Sequence, residues 1–495
     1  MDIRICQFEI IQTIDKMYYI KIFLYSKIEI MINDMTKGAP LKLIILFSVP
    51  LLIGNIFQQL YNIADIVIVG RTLGMNALAA VGAISPIFFF LMFIVVGMTN
   101  GFAVITGQRF GAKDPDGVRK SVTVSTVLSM AFTIVFSVLL AVFMPTILGW
   151  MNVPEVIFHD AYWYIQIVIG GLVVANAYNL LASIVRALGD SKTPLYFLIF
   201  ASVLNIFLAL LFILKFGWGV PGSAIAVVLS QAISALLCVV YVKKRFPILH
   251  LKKEDWIFAF KKDCIPFAYE HLRVGIPMAL QFSILGISIL IIQSVANSFG
   301  PDVIAALTAA LRIEQIATLP MVSFGVAIAA YTAQNFGANN FSRIKYGVNR
   351  SSLINLSLSV VMTFLMHYFG SDIVGLFIGK NQHHIIEIAR KYLLISTMFY
   401  FFLGQIFIFR NALQGMGEAT LPLWASVGEL VMRSFAAIYL AAKFSYIGVF
   451  FSGPIAWVAA STILAAGYYL NLFGIVKKAH ANVRQQRRLQ AELAA

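Results

Sequence analysis

The chain is built from long apolar runs separated by short clusters of glycine, proline, asparagine and lysine. A helix needs about 20 apolar residues to cross the hydrocarbon core of a bilayer, and we count twelve runs of that length. They cover residues 42–69, 77–104, 121–144, 160–184, 195–214, 220–242, 272–299, 303–332, 348–369, 390–412, 422–443 and 446–471. The runs are continuous rather than alternating, which favours helices over strands. We therefore predict an all-α polytopic membrane protein with twelve transmembrane helices.

Composition narrows the class of protein further. Of the 495 residues, 60% are apolar and 12% are charged, whereas soluble domains carry about 25% charged residues. This balance excludes a soluble enzyme, a disordered protein and a fibrous protein. The three cysteines, Cys6, Cys238 and Cys264, have neither metal-ligand nor disulfide spacing. We expect no cofactor and no bound metal.

The net charge of +15 follows the predicted membrane topology. Most Lys and Arg residues fall in the loops after even-numbered spans and in the tail, among them Arg109, Arg186, Lys243, Arg343 and Arg410. The positive-inside rule then places both termini on the cytoplasmic side of a cell membrane. We expect a monomer that contacts membrane lipids and has no nucleic acid partner.

The sequence repeats itself in two halves. Gln108–Ala112 resembles Gln334–Ala338 at an offset of 226 residues, and Ala187–Pro194 resembles Gly415–Pro422 at an offset of 228. Each repeat holds six spans, so both enter the membrane from the same side and are related by an axis along the membrane normal. We expect the two six-helix repeats to form N- and C-lobes around a central cavity. This is the architecture of a secondary transporter, and the sequence carries no Walker-type phosphate loop.

The repeat divides the chain into five segments. We assign residues 1–35 to an N-terminal extension, 36–242 to the N-lobe, 243–271 to a basic cytoplasmic linker, 272–471 to the C-lobe and 472–495 to a cytoplasmic tail. The extension lacks the layout of a signal peptide. We interpret it as an upstream extension of the reading frame with a native start at Met31 or Met35. The alternative is a short amphipathic arm on the membrane surface.

The first span carries an unusual polar face. At 100° per residue its polar side chains fall within an arc of roughly 120°, namely Ser48, Asn55, Gln58, Gln59, Asn62 and Asp65. Lipid cannot solvate such a face, so we expect it to line protein or water. Asp65 is the only carboxylate well inside the apolar spans of the first half.

An ionisable residue at this depth is costly and usually lies on an ion or substrate pathway. Asp65 can take and release a proton, and any competing cation favours its charged form. The alternative is a structural carboxylate that pairs with Arg71 or caps the next element. Asn205 in the fifth span is the next candidate, either as a partner of Asp65 or of a coordinated ion, or as a contact between helices.

The second half places different chemistry at the matching positions. Glu429 and Arg433 are spaced i, i+4 and can pair on one helix face. At an offset of 228, Arg433 falls on Asn205. We favour a neutralised structural pair there, with a second coupling site as the alternative.

Three further polar residues of the second half are candidates for a cavity or a secondary polar site. Glu314 and Arg312 are spaced i, i+2, cannot face each other, and each need a partner on another helix. Glu418 lies at the repeat equivalent of Asp190, where a turn or gating role is favoured over ion binding. Gln281 lies in the seventh span.

Taken together, these segments resemble the multidrug and toxic compound extrusion (MATE) family. The resemblance rests on Val49-Pro50, on Asn62–Asp65 followed by Gly70, and on the loop segments Gln108–Ala112, Arg186–Asp190 and Leu413–Gly415. It extends over roughly residues 36–475. It implies a V-shaped pair of six-helix lobes and cation-coupled export of organic, often cationic, compounds.

The resemblance also implies site residues. Asp65 matches the first-helix carboxylate of the family's N-lobe cation site, and Asn205 matches the fifth-helix asparagine of that site. The family often has a second Asp where this chain has Ala209, and the seventh-helix acid of sodium-coupled members is missing, since that helix offers only Gln281 and Gln293. Glu418 matches the family's tenth-helix acid.

We therefore expect a secondary active antiporter that exports organic, cationic or lipophilic compounds in exchange for H⁺ or Na⁺, and not an enzyme. A lone carboxylate is a poor Na⁺ site but is sufficient for a proton, which favours H⁺. The alternative is a flippase for a lipid-linked oligosaccharide or a cell-wall precursor, although the spans hold few deep cations (Arg312 and Arg433) for a pyrophosphate. A membrane prenyl transferase lacks the paired aspartate clusters that it would need for Mg²⁺, and a channel lacks a filter-like repeat.

Overall fold

The structure, a computed structural model, describes residues 34–379 and 381–494. The regular structure in these residues is helical throughout. Most of the predicted N-terminal extension, including Met31, lies outside the described residues. Met35 lies inside them and is 1% exposed.

The N-lobe consists of six long helices. They are α1 (Pro40–Leu73), α2 (Met75–Gly111), α3 (Pro115–Trp150), α4 (Glu155–Ala187), α5 (Lys192–Leu210), which continues through a π-helical turn (Leu211–Lys215), and α6 (Gly219–Arg245). Proline or glycine marks several ends: Pro40 and Pro115 open their helices, and Gly74 separates α1 from α2 with a φ of 86°. These residues suit such positions because proline fits the first helical turn and glycine tolerates positive φ.

A linker segment and the C-lobe follow. The linker holds a 3₁₀ turn (Pro247–Leu249), the short helix α7 (Lys253–Ala259) and a second 3₁₀ turn (Lys262–Cys264). The C-lobe comprises α8 (Ile265–Asn297), α9 (Pro301–Ala317), α10 (Leu319–Gly337), α11 (Phe341–Ile378), α12 (His383–Met398), α13 (Tyr400–Gly415), α14 (Thr420–Phe444), α15 (Tyr446–Phe450) and α16 (Ser452–Ala494).

The described helices agree with the predicted spans. Ten stretches are long and apolar enough to cross a membrane unaided, and two bent helix pairs bring the number to twelve if each pair counts as one span. The pair α9 and α10 bends by 41°, and the pair α12 and α13 bends by 51°. The first bend precedes Pro320, which has no N–H to continue the helical ladder. The protein is thus a multi-pass membrane protein made of two similar halves.

The two ends of the helix bundle differ. We call the end that carries residues 245–264 the linker end, and the opposite one the far end. The C-termini of α2, α4, α6, α10 and α13 lie at the linker end, together with the N-termini of α1, α3, α5, α8, α11 and α14, because the long helices alternate in direction.

The lobes meet along a seam of backbone against backbone. Gly97 and Gly101 on α2 face α8, and a Cβ placed on Gly101 would lie 2.6 Å from the Cα of Gly275. A Cβ on Gly97 would lie 2.8 Å from the Cα of Ala279. Glycines spaced i, i+4 allow two membrane helices to approach this closely. Gly97 and Gly101 lie in the linker-end half of α2, and Gly275 and Ala279 lie in the linker-end half of α8, so the lobes are closed on each other at that end.

Candidate functional site

Asp65 projects from α1 into the N-lobe. Its Oδ1 accepts a hydrogen bond from Ser223 Oγ on α6 at 3.3 Å, and the residue is half-buried. It lies eight residues before the end of α1, which places it about 12 Å from the far end of that helix. Among the described ion pairs none involves Asp65, so the predicted alternative of a pair with Arg71 is not formed.

Asn205 lies at nearly the same depth on the neighbouring helix α5. The two helices run in the same direction, and Gly54 of α1 packs against Leu195 and Leu198 of α5. At an equal rise per residue, Asp65 comes level with residues 206–209 of α5, within one turn of Asn205. The packing of Ile68 in the same cluster as Leu208 agrees with this register.

The amide of Asn205 is buried and unsatisfied. The residue is 1% exposed, and among the described residues neither its Nδ2 nor its Oδ1 has a hydrogen-bond partner. Buried side-chain amides are usually hydrogen-bonded in proteins, so an unpartnered amide at this depth is a candidate for binding an ion or a cargo group. In the described part of the chain, the N-lobe therefore holds one carboxylate with a single hydroxyl donor and, at nearly the same depth on the adjacent helix, an amide without a partner.

Two tyrosines complete the surroundings of the carboxylate. Tyr61 on α1 and Tyr164 on α4 both lie close enough to Asp65 to interact with its charge. The predicted polar face of α1 divides between the lobes. Asp65 turns into the N-lobe, whereas Asn55 Nδ2 donates to Ser323 Oγ of α10 in the C-lobe at 3.0 Å.

The other polar residues of α1 have different surroundings. Gln58 is exposed and Asn62 is half-buried, and the structure brings neither into the contact between Asp65 and Ser223. Ser48 is buried and donates to the carbonyl oxygen of Ile45 on its own helix at 2.9 Å. Of the predicted N-lobe candidates, Asp65 and Asn205 are thus the two that lie at a similar depth inside the lobe.

The C-lobe contains a buried charge cluster. Glu429 Oε1 accepts from Arg433 Nη2 at 2.6 Å, and Glu429 Oε2 accepts from Arg410 Nη2 at 3.2 Å. The i, i+4 pair anticipated from the sequence is therefore one side of a three-residue cluster. The Glu429 and Arg410 side chains are 5% and 8% exposed. Two guanidinium groups thus share one carboxylate inside the membrane-spanning part of the protein.

Arg410 requires a correction. We expected Arg410 among the loop cations of the cytoplasmic side, but it is buried within α13, which extends five residues beyond it. Its Nη2 also contacts Ser426 Oγ at 3.3 Å. Arg186, counted in the same way, lies in the last turn of α4, where its Nη2 donates to Ser183 Oγ at 2.8 Å.

Gln281 joins this cluster to α8. Its amide lies between Gln414 and Arg410. One polar atom of the amide is 2.7 Å from Gln414 Nε2, and the oxygen, when turned toward the guanidinium, lies 2.7 Å from Arg410 Nε. The structure therefore groups Gln281 with Glu429 and Arg433, and all three belong to one buried polar network.

Glu314 occupies a separate position in the same lobe. Its Oε2 accepts from the hydroxyl of Tyr392 at 3.0 Å, and Arg433 lies close enough to interact with its charge. Arg312 is exposed. Tyr392 stands at an offset of 228 from Tyr164, the same offset that relates Arg433 to Asn205. Each lobe thus has a tyrosine near one of its carboxylates, Tyr164 near Asp65 and Tyr392 bonded to Glu314.

Glu418 caps a helix at the linker end. Its Oε1 accepts from the backbone N–H groups of Thr420 and Leu421 at 3.1 and 3.2 Å. Asp190 does the same for Lys192 and Thr193 at 2.9 and 3.0 Å. The structure therefore places Glu418 away from Glu429 and Glu314, in the turn position that the sequence analysis favoured.

Sequence reasoning missed several residues of these sites. Ser223, Tyr164 and Tyr392 carry little signal singly, since hydroxyls and aromatics are frequent in membrane helices. The offset of 228 pairs the two tyrosines and identifies them in retrospect. Arg410 gave a misleading signal because it lies near the end of an apolar run.

Comparisons with known proteins agree with this arrangement. The MatE family model matches residues 50–211 and again residues 277–438, and the two matches begin 227 residues apart. The probable multidrug resistance protein YoeA of Bacillus subtilis (strain 168) is 30% identical over 433 residues, covering 86% of this chain and 92% of that protein. The probable multidrug resistance protein YpnP of the same organism is 31% identical and covers 78% and 84%.

A solved structure has the same fold. A crystal structure described as MATE in the bent conformation superposes with a TM-score of 0.83 at 23% sequence identity, covering 90% of this chain and 98% of that one. The double match of the family model, the relatives at about a third identity and the two-lobe helical architecture lead to one conclusion. The chain belongs to the MATE family of membrane transporters, and both of these relatives are named as probable multidrug resistance proteins.

Proposed function

We propose that this protein is a secondary active antiporter that exports organic, cationic or lipophilic compounds in exchange for H⁺, with Na⁺ as the alternative coupling ion. In this proposal it lies in the cell membrane with both termini and the linker end in the cytoplasm. The observation that carries the proposal is the N-lobe site, where, among the described residues, Asp65 forms no ion pair and the Asn205 amide at nearly the same depth has no hydrogen-bond partner.

The chemistry follows from charge. An ionised Asp65 in apolar surroundings attracts a cation strongly, because few other groups compensate its charge. Protonation removes that attraction. A cationic cargo and a proton therefore compete for the same carboxylate, and this competition couples the release of one to the uptake of the other.

The set of available ligands supports H⁺ as the coupling ion. Sodium needs several oxygen ligands, and the described site offers the Asp65 carboxylate, the Ser223 hydroxyl and the Asn205 carbonyl. A proton needs only the carboxylate. The missing second acid at Ala209, which is fully buried, weakens the case for sodium further.

Alternating access supplies the movement. The lobes are closed along the seam at the linker end, whereas Asp65 lies nearer the far end. We infer that the site faces the far side in this state and the linker side after the lobes rock apart along the seam. Repeats of this kind move largely as rigid bodies around the site.

The flippase alternative is disfavoured by the balance of charge. Burial of Arg410 adds a deep cation that the sequence analysis did not count, but Glu429 lies between Arg410 and Arg433. A pyrophosphate would have to displace that carboxylate or bind against it. A strongly basic cavity is what the flippase would need.

The test is transport by purified protein in proteoliposomes. We expect a pH gradient alone to drive uptake of ethidium, a lipophilic organic cation, and the Asp65→Asn variant to lose roughly tenfold or more of this activity. Asp302→Asn, which alters an exposed carboxylate at the start of α9, is the matched control and should transport normally. Transport driven by a sodium gradient alone would identify Na⁺ as the coupling ion in place of H⁺. Equal transport by Asp65→Asn and wild type would refute the proposal.

A further inference from the structure

Two glutamines, one from each lobe, reach across the seam at the linker end in a reciprocal manner. Gln108 Nε2 at the end of α2 donates to the carbonyl oxygen of Gly415 at 2.9 Å. Gln334 Nε2 at the end of α10 donates to the carbonyl oxygen of Ala187 at 2.8 Å. Ala187 and Gly415 are related by the repeat offset of 228 residues, so each bond is the pseudo-symmetric image of the other.

Each acceptor is the last residue of a helix. The final four carbonyl groups of an α-helix have no partner within the helix. In α4 the carbonyls of Ile184, Val185 and Arg186 accept from the turn that follows, and in α13 the carbonyls of Ala412, Leu413 and Gln414 do so. The last carbonyl of each helix is completed by the glutamine of the opposite lobe. Each lobe therefore caps a helix of its partner.

The backbone of each glutamine is covered by a glycine from the other lobe. A Cβ built on Gly111 would overlap the carbonyl oxygen of Gln334 and lie 2.6 Å from its carbonyl carbon. A Cβ built on Gly337 would overlap the carbonyl oxygen of Gln108 and lie 2.7 Å from its carbonyl carbon. Neither position leaves room for a side chain while the linker end is closed.

We propose that Gln108, Gly111, Gln334 and Gly337 form a reciprocal latch that holds the linker end closed, and that transport requires this latch to open. The inference rests on the proposed function, since a closed linker end matters only if the lobes alternate in access. The latch suits a two-state gate. The two side-chain amides that donate and the two carbonyl groups that accept all lie at helix ends. Water at the linker end can therefore replace each hydrogen bond when the lobes separate.

The two sides of the latch are not equally supported. Gln334 is fully buried, and its Oε1 accepts from the backbone N–H of Met35 at 2.9 Å. Arg343 fixes the same segment, donating to the carbonyl oxygen of Gly38 at 2.9 Å. Gln108 is half-buried. Removal of Gln334 should therefore open the linker end more than removal of Gln108.

The test measures closure directly, by spin-label distances across the linker end. Alanine first replaces the three native cysteines. Spin labels are then attached at Ala112→Cys and Ser342→Cys, two exposed positions on different lobes. The distance between the labels is measured by electron–electron double resonance in nanodiscs. Wild type should show a short-distance population. Gly111→Ala and Gly337→Ala should each lose it and stop transport.

Gly82→Ala is the matched control. It lies on α2 with Gly111, and no atom lies within 4 Å of the added Cβ. Alanine favours a helix more than glycine does, so loss of closure at Gly111 cannot come from a weakened helix. Gln108→Ala and Gln334→Ala should shift the open-to-closed ratio by roughly two- to tenfold each, with the larger shift for Gln334→Ala.

The outcomes separate this inference from the proposed function. If Gly111→Ala keeps both the short distance and transport, the latch is refuted. If Asp65→Asn transports normally while the glycine variants still lose the short distance, the coupling mechanism fails and the latch stands. Circular dichroism and elution volume confirm that each variant is folded before its distances are interpreted.

Discussion

The two lobes differ in their deep polar residues. At one repeat position the N-lobe has Asn205 where the C-lobe has Arg433, whereas the equivalents of Asp65 and Glu429 are Gln293 and Ala201. Within the described ranges, the N-lobe pairs Asp65 with no cationic side chain and gives the Asn205 amide no hydrogen-bond partner. The C-lobe, at the position of Asn205, has Arg433, which pairs with Glu429. A carboxylate that is already compensated gains little from a passing cation, whereas an uncompensated one can exchange its proton for cargo.

The linker end shows the opposite trend, because there the two repeats have kept the same chemistry. Gln108 and Gln334 form equivalent bonds, and Gly111 and Gly337 make equivalent backbone contacts. Both lobes contribute to this surface, so a change on one side must be matched on the other. The interior of each lobe is under no such constraint. The comparison thus separates the linker-end residues that hold the two lobes together from the deep polar residues that distinguish the N-lobe from the C-lobe.

The largest effect that distinguishes the lobes should come from Glu429→Gln. This change leaves two buried guanidinium groups without their carboxylate, and removal of one partner from a buried ion pair costs about 3–5 kcal/mol. We expect a clear fall in thermal stability in detergent, measured by intrinsic fluorescence. Glu387→Gln is the control, because Glu387 forms an exposed i, i+4 pair with Lys391 at 2.9 Å, and solvent screening makes the loss of such a pair change stability little. Equal stability of the two variants would show that the C-lobe cluster is not a structural element.

A second prediction compares the equivalent positions directly. Asn205→Ala removes two polar atoms that have no hydrogen-bond partner among the described residues, so stability should change by less than about 1 kcal/mol. If Asn205 serves the site proposed around Asp65, pH-driven transport should fall. Arg433→Ala removes a charge-assisted hydrogen bond to Glu429 and should cost about 1.5–3 kcal/mol.

Both variants are measured for thermal stability and for pH-driven ethidium uptake. A stable Asn205→Ala variant with full transport would remove Asn205 from the site. A destabilised Asn205→Ala variant would mean that its amide is a structural contact, as in the alternative interpretation of the sequence.

Much of this fold could be predicted from the sequence. Apolar runs of membrane-spanning length fix the number of helices, and the match between Gln108–Ala112 and Gln334–Ala338 fixes the duplication. The spacing of Glu429 and Arg433 predicts their contact, since side chains four residues apart lie on one face of a helix.

The remaining features depend on tertiary structure. Arg410 lies near the end of an apolar run, and only the bend after Met398 and the extension of α13 to Gly415 place it inside the protein. The glutamines were recognisable as a repeated motif, but their role as caps of the opposite lobe depends on how closely the glycine seam lets the lobes approach. No periodicity within one helix carries that information.

The smallest effect concerns the two capping acids at the linker end. Asp190 is 3% exposed and accepts from two backbone N–H groups and from the hydroxyl of Thr193, whereas Glu418 accepts from two N–H groups only. Loss of a helix cap costs about 0.5–2 kcal/mol, so the stability loss of Asp190→Ala should fall at the upper end of that range and that of Glu418→Ala at the lower end.

The Glu418 carboxylate is bonded to backbone N–H groups, and the amide oxygen of Glu418→Gln can still accept these bonds. This variant should therefore transport ethidium like wild type. Loss of transport in Glu418→Gln at unchanged thermal stability would instead assign a coupling role to this residue. The C-lobe would then take part in proton coupling together with Asp65.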